Sequence, residues 1–236
     1  MKSKILICFL IFSIYSNIIY ASRFKFIFSP LTIPAISSQQ SKESPKTYCD
    51  TAGHWCSYSA ERLHNQGIFT GLKIGNKYYF QPEQQITRGD FLLYIYAVLN
   101  KEPAEEGYAP FEDFASIPVW QKPAAVSMYK DGIIHGNVEN GKLYFNHDEG
   151  ITRLEAAQIL CNTLKLKNEP AMTAFSDNYL IPQYASGAVK NVMDYGLMQG
   201  YEDKSFRPYI RMTRAMLADV LCRFKDYCEK DAQNIK

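Results

Sequence analysis

Three stretches of the chain place apolar residues three and four positions apart, which is the spacing of an amphipathic helix. Each stretch begins directly after a Thr-Arg pair, and Thr is a favourable N-cap because its hydroxyl accepts a hydrogen bond from the first helical turn. The pattern predicts three helices that start at Arg88, Arg153 and Arg214 and pack their apolar faces together. The apolar positions are Phe91, Leu92, Ile95, Val98 and Leu99; Ala156, Ala157, Leu160, Cys161 and Leu164; and Leu217, Ala218, Leu221 and Cys222.

The three helix starts share a tripeptide. The copies are Ile86-Thr87-Arg88, Ile151-Thr152-Arg153 and Met212-Thr213-Arg214. Thr152 is followed three residues later by Glu155, which predicts a capping box, and Thr87 by Asp90, which predicts a box or a close variant. The third copy has Met216 at this position and lacks the acid.

The arginine of each tripeptide occupies the first helical position, where the helix dipole disfavours a cation and favours an anion. Each arginine therefore needs an anionic partner, either a carboxylate of the protein or a bound ligand. A helix start also offers free backbone N–H groups, and the guanidinium adds a bidentate fork that matches a carboxylate. The residues alone leave both partners open, because ion pairs are also common in structural roles.

The tripeptides belong to an internal repeat. Arg88 and Arg153 are 65 residues apart, and Arg153 and Arg214 are 61 residues apart. Each copy has, in one order, an aromatic-x-Asp opening, a further aromatic, a pair of glycines and a Phe, which predicts helix, loop and second helix with the first glycine as a helix cap. The aligned residues are Asp50, Asp113 and Asp177; Trp55, Trp120 and Tyr184; Gly67, Gly132 and Gly196; Gly71, Gly136 and Gly200; and Phe80, Phe145 and Phe206.

The chain divides into a leader, a spacer, three repeats and a tail. The leader, residues 1–21, has two lysines, an apolar run and a small residue at its end, which is the layout of a secretory signal peptide. We therefore expect a secreted chain with no stable membrane span after signal removal. The remaining segments are a flexible spacer at 22–47, repeat 1 at 48–100, repeat 2 at 110–166, repeat 3 at 174–228 and a polar, frayed tail at 229–236.

The charge balance and the side-chain inventory argue against several function classes. Of 26 basic residues, Lys2 and Lys4 leave with the leader, so 24 basic residues balance 24 acidic ones, and no basic patch indicates nucleic-acid binding. The four histidines lack the spacing and the cysteine partners of a zinc site. No third group is evident that would orient Cys49 and His54 as a thiol nucleophile. We expect a non-enzyme that requires no cofactor or metal.

Taken together and in this order, the repeat features resemble those of S-layer homology (SLH) repeats, over about residues 48–228. The resemblance implies an all-α fold in which three tandem helix-loop-helix repeats form a pseudo-threefold spindle around a central three-helix bundle. It also implies a cell-surface or cell-wall location. Members of the family bind secondary cell-wall polysaccharide, a peptidoglycan-linked polymer, non-covalently in grooves between repeats. The bound unit is commonly a pyruvylated amino sugar, which carries a carboxylate.

Carried across by position, the resemblance implies a set of ligand-binding residues in the grooves. They are Asp50, Trp55, Gly71 and Arg88 in repeat 1; Asp113, Trp120, Gly136 and Arg153 in repeat 2; and Asp177, Tyr184, Gly200 and Arg214 in repeat 3. The Thr-Arg-Ala-Glu helix start of the family is best kept in repeat 2, which also has a tryptophan. Repeat 3 departs most, with Met216 and Tyr184 at two of the marked positions. We therefore expect Arg153 to be the best ligand arginine and Arg214 to matter less.

Structural roles remain open for the same residue types. An arginine could pair with Asp113 or Asp177 of the next repeat and simply hold the repeats together. A tryptophan at a helix start could be buried instead of stacking on a sugar ring, and the glycines could serve as turns and caps. Two functions therefore remain: a wall-polysaccharide-binding module, or a structural or assembly protein that contacts another protein or a second copy of itself.

The cysteines provide one further expectation. Five remain after removal of the leader, and the odd number leaves one thiol unpaired. Closure of the repeats about an axis would place the end of repeat 3 beside the start of repeat 1. In that case we expect Cys228 to lie near Cys49 or Cys56 and to form a disulfide that ties the ends together.

Overall fold

Six α-helices and two short β-hairpins are the regular elements of the residues described in the computed structural model, 48–101 and 107–234. The expected leader (1–21) and spacer (22–47) lie outside these residues. The described residues belong to one compact body, Pro45–Lys236. The helices are α1 Ser57–Asn65, α2 Arg88–Leu99, α3 Lys122–Lys130, α4 Arg153–Thr163, α5 Gln183–Asp194 and α6 Arg214–Asn234, and a 3-10 turn covers Asn178–Leu180.

The second helix of each repeat begins at the predicted arginine. Thr152 and Glu155 form a complete capping box, in which each side chain accepts a hydrogen bond from the backbone N–H of the other residue. Oγ1 of Thr87 also caps its helix, and Oγ1 of Thr213 accepts the N–H of Met216 at 3.4 Å although the acid is missing there. The expectation of a frayed tail from residue 229 is wrong, because α6 continues to Asn234.

The first helix of each repeat ends just before a glycine, as predicted. Gly67, Gly132 and Gly196 have φ of +72°, +68° and +66°. This left-handed conformation suits glycine and stops the helix, since a Cβ would add strain there. The helix-loop-helix order is therefore confirmed in all three repeats.

The loops of repeats 1 and 2 contain β-hairpins, so the fold is mostly helical and not purely all-α. The strands are β1 Leu72–Ile74, β2 Lys77–Tyr79, β3 Asn137–Glu139 and β4 Lys142–Tyr144, paired β1 with β2 and β3 with β4 in antiparallel register. Asn140 and Gly141, both with positive φ, form the turn between β3 and β4. An Asn-Gly turn of this kind matches the twist of a hairpin.

The helices pack in a cyclic order. The second helix of each repeat lies against the first helix of the next: α2 on α3, α4 on α5, and α6 on α1. The predicted apolar faces are buried, with Ile95, Leu160 and Leu221 each fully inaccessible to solvent. Helices α2 and α6 also contact each other directly.

Three backbone hydrogen bonds close a ring at the centre of this arrangement. The N–H of Ile86 donates to the carbonyl of Met212 at 3.0 Å, that of Met212 to Ile151 at 2.8 Å, and that of Ile151 to Ile86 at 2.9 Å. Each of the three residues directly precedes a Thr-Arg pair. The helix starts of all three repeats are therefore joined to one another.

The end of repeat 3 lies beside the start of repeat 1, but the expected disulfide is absent. Arg62 of α1 binds Asp226 of α6 through both guanidinium ends, and Sγ of Cys222 contacts the carbonyl of Ser59. These pairs show that α1 and α6 run in parallel. Cys228 therefore lies beside the last turn of α1, whereas Cys56 directly precedes the first turn. The nine-residue helix between these two ends is about 13 Å long. All five cysteines of the described residues are free.

Candidate functional site

Three junctions between repeats bring the candidate residues together. Each junction combines the start of a second helix with the loop of the next repeat. The 1–2 junction joins Arg88 to loop 145–149, the 2–3 junction joins Arg153 to loop 206–210, and the 3–1 junction joins Arg214 to loop 80–84.

The first backbone N–H groups of each second helix donate across these junctions. The N–H of Arg88 binds the carbonyl of Glu149 at 2.8 Å, and Gly89 binds that of His147 at 2.8 Å. The equivalent bonds join Arg153 to Ile210, Leu154 to Pro208, Arg214 to Gln84 and Ala215 to Pro82. The threonine cap takes the third N–H. The expectation that the helix starts offer free N–H groups to an anion is therefore wrong.

Arg153 and Arg214 are buried and bind the next repeat in the same way. Nε of Arg153 donates to the carbonyl of Phe206 at 2.8 Å, and Nη2 donates to that of Gln199 at 2.6 Å. For Arg214 the partners are the carbonyls of Phe80 at 2.7 Å and Thr70 at 3.3 Å. Each guanidinium also lies over the Phe ring, at 4.6 Å and 4.8 Å from the centroid. Burial lowers the pKa of Arg153.

Arg88 departs from this pattern. Its Nη1 lies 3.1 Å from Oε1 of Glu155, and its Nε is buried with no hydrogen-bond partner among the described residues. Glu155 is the third residue of α4, the second helix of repeat 2. The equivalent residue facing Arg153 is Met216 of repeat 3, and the one facing Arg214 is Asp90 of repeat 1. The thioether of methionine is only a weak acceptor, and aspartate is one methylene shorter than glutamate. A carboxylate that reaches the arginine is therefore provided at the 1–2 junction.

Neither Asp113 nor Asp177 is a direct partner of an arginine, so the expected Arg–Asp pairs are wrong. Each opening aspartate instead accepts two successive backbone N–H groups of its own repeat. Asp50 binds Phe80 and Gln81, Asp113 binds Phe145 and Asn146, and Asp177 binds Phe206 and Arg207, all at 2.7–2.8 Å.

The aspartates hold a strained turn in place. Gln81, Asn146 and Arg207 have φ of +59°, +56° and +56°, a conformation that costs free energy for a residue other than glycine. Two charge-assisted hydrogen bonds from one carboxylate offset that cost. The turn also aims the carbonyls of Phe80 and Phe206 at Arg214 and Arg153.

The second glycine of each pair allows close packing on the aromatic that opens its repeat. A Cβ added to Gly71, Gly136 or Gly200 would overlap the ring of Tyr48, Phe111 or Phe175, respectively. Gly71 and Gly200 directly follow Thr70 and Gln199, whose carbonyls bind the arginines. The glycines therefore shape the junction by bringing backbone close to the guanidinium.

The aromatic candidates are exposed. Trp55, Trp120 and Tyr184 expose 61%, 45% and 65% of their surface. Burial in the core, the alternative for the two tryptophans, is therefore wrong, and all three side chains are accessible to a ligand. Gln121, which follows Trp120, lies over Gly89 at the 1–2 junction, so Trp120 accompanies Arg88 and not Arg153.

His54 contacts two side chains that the sequence does not predict as its partners. Sγ of Cys56 lies 3.0 Å from Nδ1, and Oε1 of Glu83 lies 3.2 Å from Nε2. The fully buried Cys56 thiol has its pKa raised to about 11 by burial, so it stays protonated at neutral pH and is a poor nucleophile. The imidazole instead lies 5.4 Å from the Trp55 ring and supports it. Glu83 is 29 residues from His54, which hides the pairing in the sequence.

None of the helices in the ranges 48–101 and 107–234 is long and apolar enough to cross a bilayer. Within the same ranges, no group of three His, Cys, Asp or Glu side chains could hold a metal ion.

Repeat 3 matches a known protein family. Residues 174–215 match the model of the S-layer homology domain. The chain contains an S-layer homology domain. The matched segment covers the candidates Asp177, Tyr184, Gly200 and Arg214, so the repeat with the most departures still carries the family pattern.

Two relatives extend the similarity beyond the matched S-layer homology domain. The chain is 26% identical to S-layer protein EA1 of Bacillus anthracis over 184 residues, which are 76% of this chain and 20% of that protein. It is 25% identical to Surface-layer 125 kDa protein of Lysinibacillus sphaericus over 168 residues, which are 70% of this chain and 14% of that protein. The chain thus spans a fifth or less of the length of these relatives.

Proposed function

We propose that this protein is an exported cell-surface module that binds an anionic secondary wall polysaccharide non-covalently at the junctions between its repeats. The S-layer homology domain at residues 174–215 and the two surface-layer relatives support a cell-wall role. The signal-peptide layout of residues 1–21 supports export. In this proposal, the residues that bind the glycan lie at the junctions between repeats.

Repeats 1 and 2 are, in this proposal, S-layer homology repeats like repeat 3, and the three are related by a pseudo-threefold axis in a spindle around the second helices. The closed ring of Ile86, Ile151 and Met212 supports this arrangement. The cyclic packing of α2 on α3, α4 on α5 and α6 on α1 supports it as well.

The observation that carries the binding proposal is the state of Arg153 and Arg214. Both arginines are buried, with 6% and 7% of their residue surface exposed, and the hydrogen bonds of their Nε and Nη2 atoms go to neutral carbonyls. A buried charge is costly unless a counter-charge or several hydrogen bonds compensate it. A ligand carboxylate, such as that of a pyruvyl ketal on a sugar, would provide a counter-charge that binds the guanidinium directly.

Exposed aromatic side chains supply the second part of the site. Tyr184 belongs to the repeat that receives Arg153, and Trp55 belongs to the repeat that receives Arg214. An exposed aromatic ring can stack on the apolar face of a sugar. Trp55 is held in advance by His54, and such preorganisation reduces the ordering cost of binding. Since Arg153 and Arg214 have equivalent backbone partners, we expect both to contribute.

Sedimentation with purified wall sacculi, before and after removal of the secondary polymer, tests the proposal. The wild-type protein should sediment only with sacculi that retain the polymer. Arg153→Lys and Arg214→Lys keep the charge but lose the planar fork, and each should reduce retention by about tenfold. Arg223→Lys is the control, because Arg223 lies on α6 outside the junctions and its side chain binds Asp219 one turn earlier on the same helix. Equal retention with and without the polymer would exclude glycan recognition.

A second candidate function, protein–protein contact in an assembly, is favoured by the hairpins. Ile74 on β1 and Val138 on β3 expose 58% and 73% of their surface. Each hairpin is a two-stranded sheet. Cys49 and Glu112 each donate one backbone hydrogen bond to the outer edge of β2 and β4, so the edges where another strand can add are those of β1 and β3. Sedimentation-velocity analysis of the wild type and of Ile74→Lys tests this role: loss of a concentration-dependent oligomer in the variant would support it.

A further inference from the structure

We propose that Glu155 determines which junctions accept a carboxylate ligand, because it occupies the guanidinium of Arg88 and so closes the 1–2 junction. The inference rests on the proposed function and specifies it: the chain takes two carboxylate-bearing glycan units, at the 2–3 and 3–1 junctions. Glu155 then acts as an internal substitute for the ligand carboxylate.

Glu155 is fixed at both of its oxygens. Oε1 lies 3.1 Å from Nη1 of Arg88, while Oε2 accepts hydrogen bonds from the backbone N–H and the hydroxyl of Thr152, both at 2.8 Å. The carboxylate is thus placed against the arginine by the capping box of its own helix. A free ligand loses translational and rotational entropy when it binds, whereas Glu155 is already part of the chain. The ligand carboxylate is therefore at a disadvantage in competing for Arg88.

The guanidinium of Arg88 is also turned away from the position that the other two arginines occupy. Nε of Arg153 and of Arg214 binds a Phe carbonyl, whereas Nε of Arg88 has no partner in the described part of the chain, although the Phe145 ring is 5.6 Å from the guanidinium carbon. A buried donor left unsatisfied destabilises the fold. The ion pair with Glu155 offsets this loss and explains the different orientation.

The other two junctions lack an equivalent carboxylate. Met216 stands at the position of Glu155 in repeat 3, and it cannot accept a strong hydrogen bond. Asp90 stands there in repeat 1, and its Oδ1 accepts a hydrogen bond from Nε2 of Gln121 at 3.0 Å. Among the described residues, no carboxylate is therefore hydrogen-bonded to the guanidinium of Arg153 or Arg214, whereas Glu155 binds that of Arg88.

Titration calorimetry of the full chain tests the inference through the number of binding sites. The probe is an N-acetylhexosamine that carries a pyruvyl ketal. The wild type should bind two equivalents, and Glu155→Gln should bind three, because the uncharged amide releases Arg88 to the ligand. The double variant Glu155→Gln with Arg88→Gln should return to two equivalents, and Arg153→Gln alone should bind one.

Arg88→Gln alone provides a second readout that does not depend on the stability of Glu155→Gln. It should bind two equivalents with affinity within about twofold of the wild type, since the 1–2 junction is already closed. Loss of one equivalent in Arg88→Gln, or two equivalents in a folded Glu155→Gln, would overturn the inference while leaving the proposed function standing. Absence of probe binding to the wild type would overturn both. Circular dichroism of each variant establishes that it is folded.

Discussion

The side-chain amide of Gln121 lies over Gly89, in space that a Cβ at position 89 would occupy. The same amide donates to Oδ1 of Asp90 at 3.0 Å, and Gln121 is 94% buried. Gly89 and Asp90 follow Arg88 in the helix start of repeat 1, while Gln121 precedes α3 of repeat 2. The two repeats are therefore fitted to each other by a glycine on one side and a long polar side chain on the other.

Gly89→Ala should reduce the free energy of unfolding by about 1–3 kcal/mol, the usual cost of overpacking. Gln121→Ala in the same chain should recover a large part of that loss, because the clash then disappears. Urea unfolding of the two single variants and the double variant gives the coupling free energy directly. Strictly additive effects would show that the two side chains do not share this space.

Asp177→Ala should reduce the free energy of unfolding by about 3 kcal/mol, because the buried N–H of Phe206 and the part-buried N–H of Arg207 lose a charged acceptor. Asp177→Asn keeps one acceptor oxygen and should cost roughly half as much. Asp148→Ala is the control, since Asp148 is an exposed carboxylate, and it should stay within about 0.5 kcal/mol of the wild type. Thermal melts monitored by circular dichroism provide the measurement.

Leu160→Asp should cost several kcal/mol, because it places an unpaired charge at a fully buried position of α4. Leu180→Asp is the matched substitution at a site that is 41% exposed, and it should cost much less. Chemical denaturation of both variants separates the two positions. A stability of Leu160→Asp near that of the wild type would contradict the packing of α4 against α5.

Cys49 should react with iodoacetamide far faster than the other described thiols at pH 8 in the native protein. It is exposed, whereas Cys56, Cys161 and Cys222 are buried and Cys228 is half-buried, with its pKa raised by burial. The raised pKa of Cys56 alone reduces its thiolate fraction by about 100-fold relative to an ordinary thiol. Peptide mass spectrometry after timed labelling measures the rates, and labelling in guanidinium serves as the control in which all five thiols should react alike.

Stability should fall as the pH rises from about 9 to 11. Burial raises the pKa of Cys56 to about 11, so over this range the folded protein binds more protons than the unfolded chain, and the free energy of unfolding decreases with pH. One thiol contributes a slope of at most about 1.4 kcal/mol per pH unit. Cys56→Ala should show a shallower decline in urea titrations at pH 8, 9, 10 and 11. An identical slope in both proteins would show that Cys56 does not titrate with the fold.

The helix starts could be predicted because their signals are local. Thr152 and Glu155 are three residues apart, and the apolar spacing that follows them is read within a single helix. The same holds for Gly67, whose position after an amphipathic stretch marks the end of α1. The Asn140-Gly141 pair is an equally local signal for the turn between β3 and β4.

The contacts of the candidate site could not be predicted in the same way, because they join distant parts of the chain. Arg214 binds carbonyls 134 and 144 residues away, and these are backbone groups that carry no sequence signal. The difference between Arg88 and Arg153 also depends on which residue of the next repeat faces each of them. Only the cyclic order of the repeats shows that Glu155 is the ion-pair partner of Arg88.

The hydrogen-bonded ring of Ile86, Ile151 and Met212 has a consequence for how such a protein can change in length. A linear array of repeats has two ends, so it can gain or lose a unit at either end as long as the ends are capped. In the ring every backbone donor and acceptor is already used, so a fourth copy finds no edge to join. Loss of one copy breaks two of the three bonds at once. Copy number is therefore set by closure, and growth requires a second complete set of three.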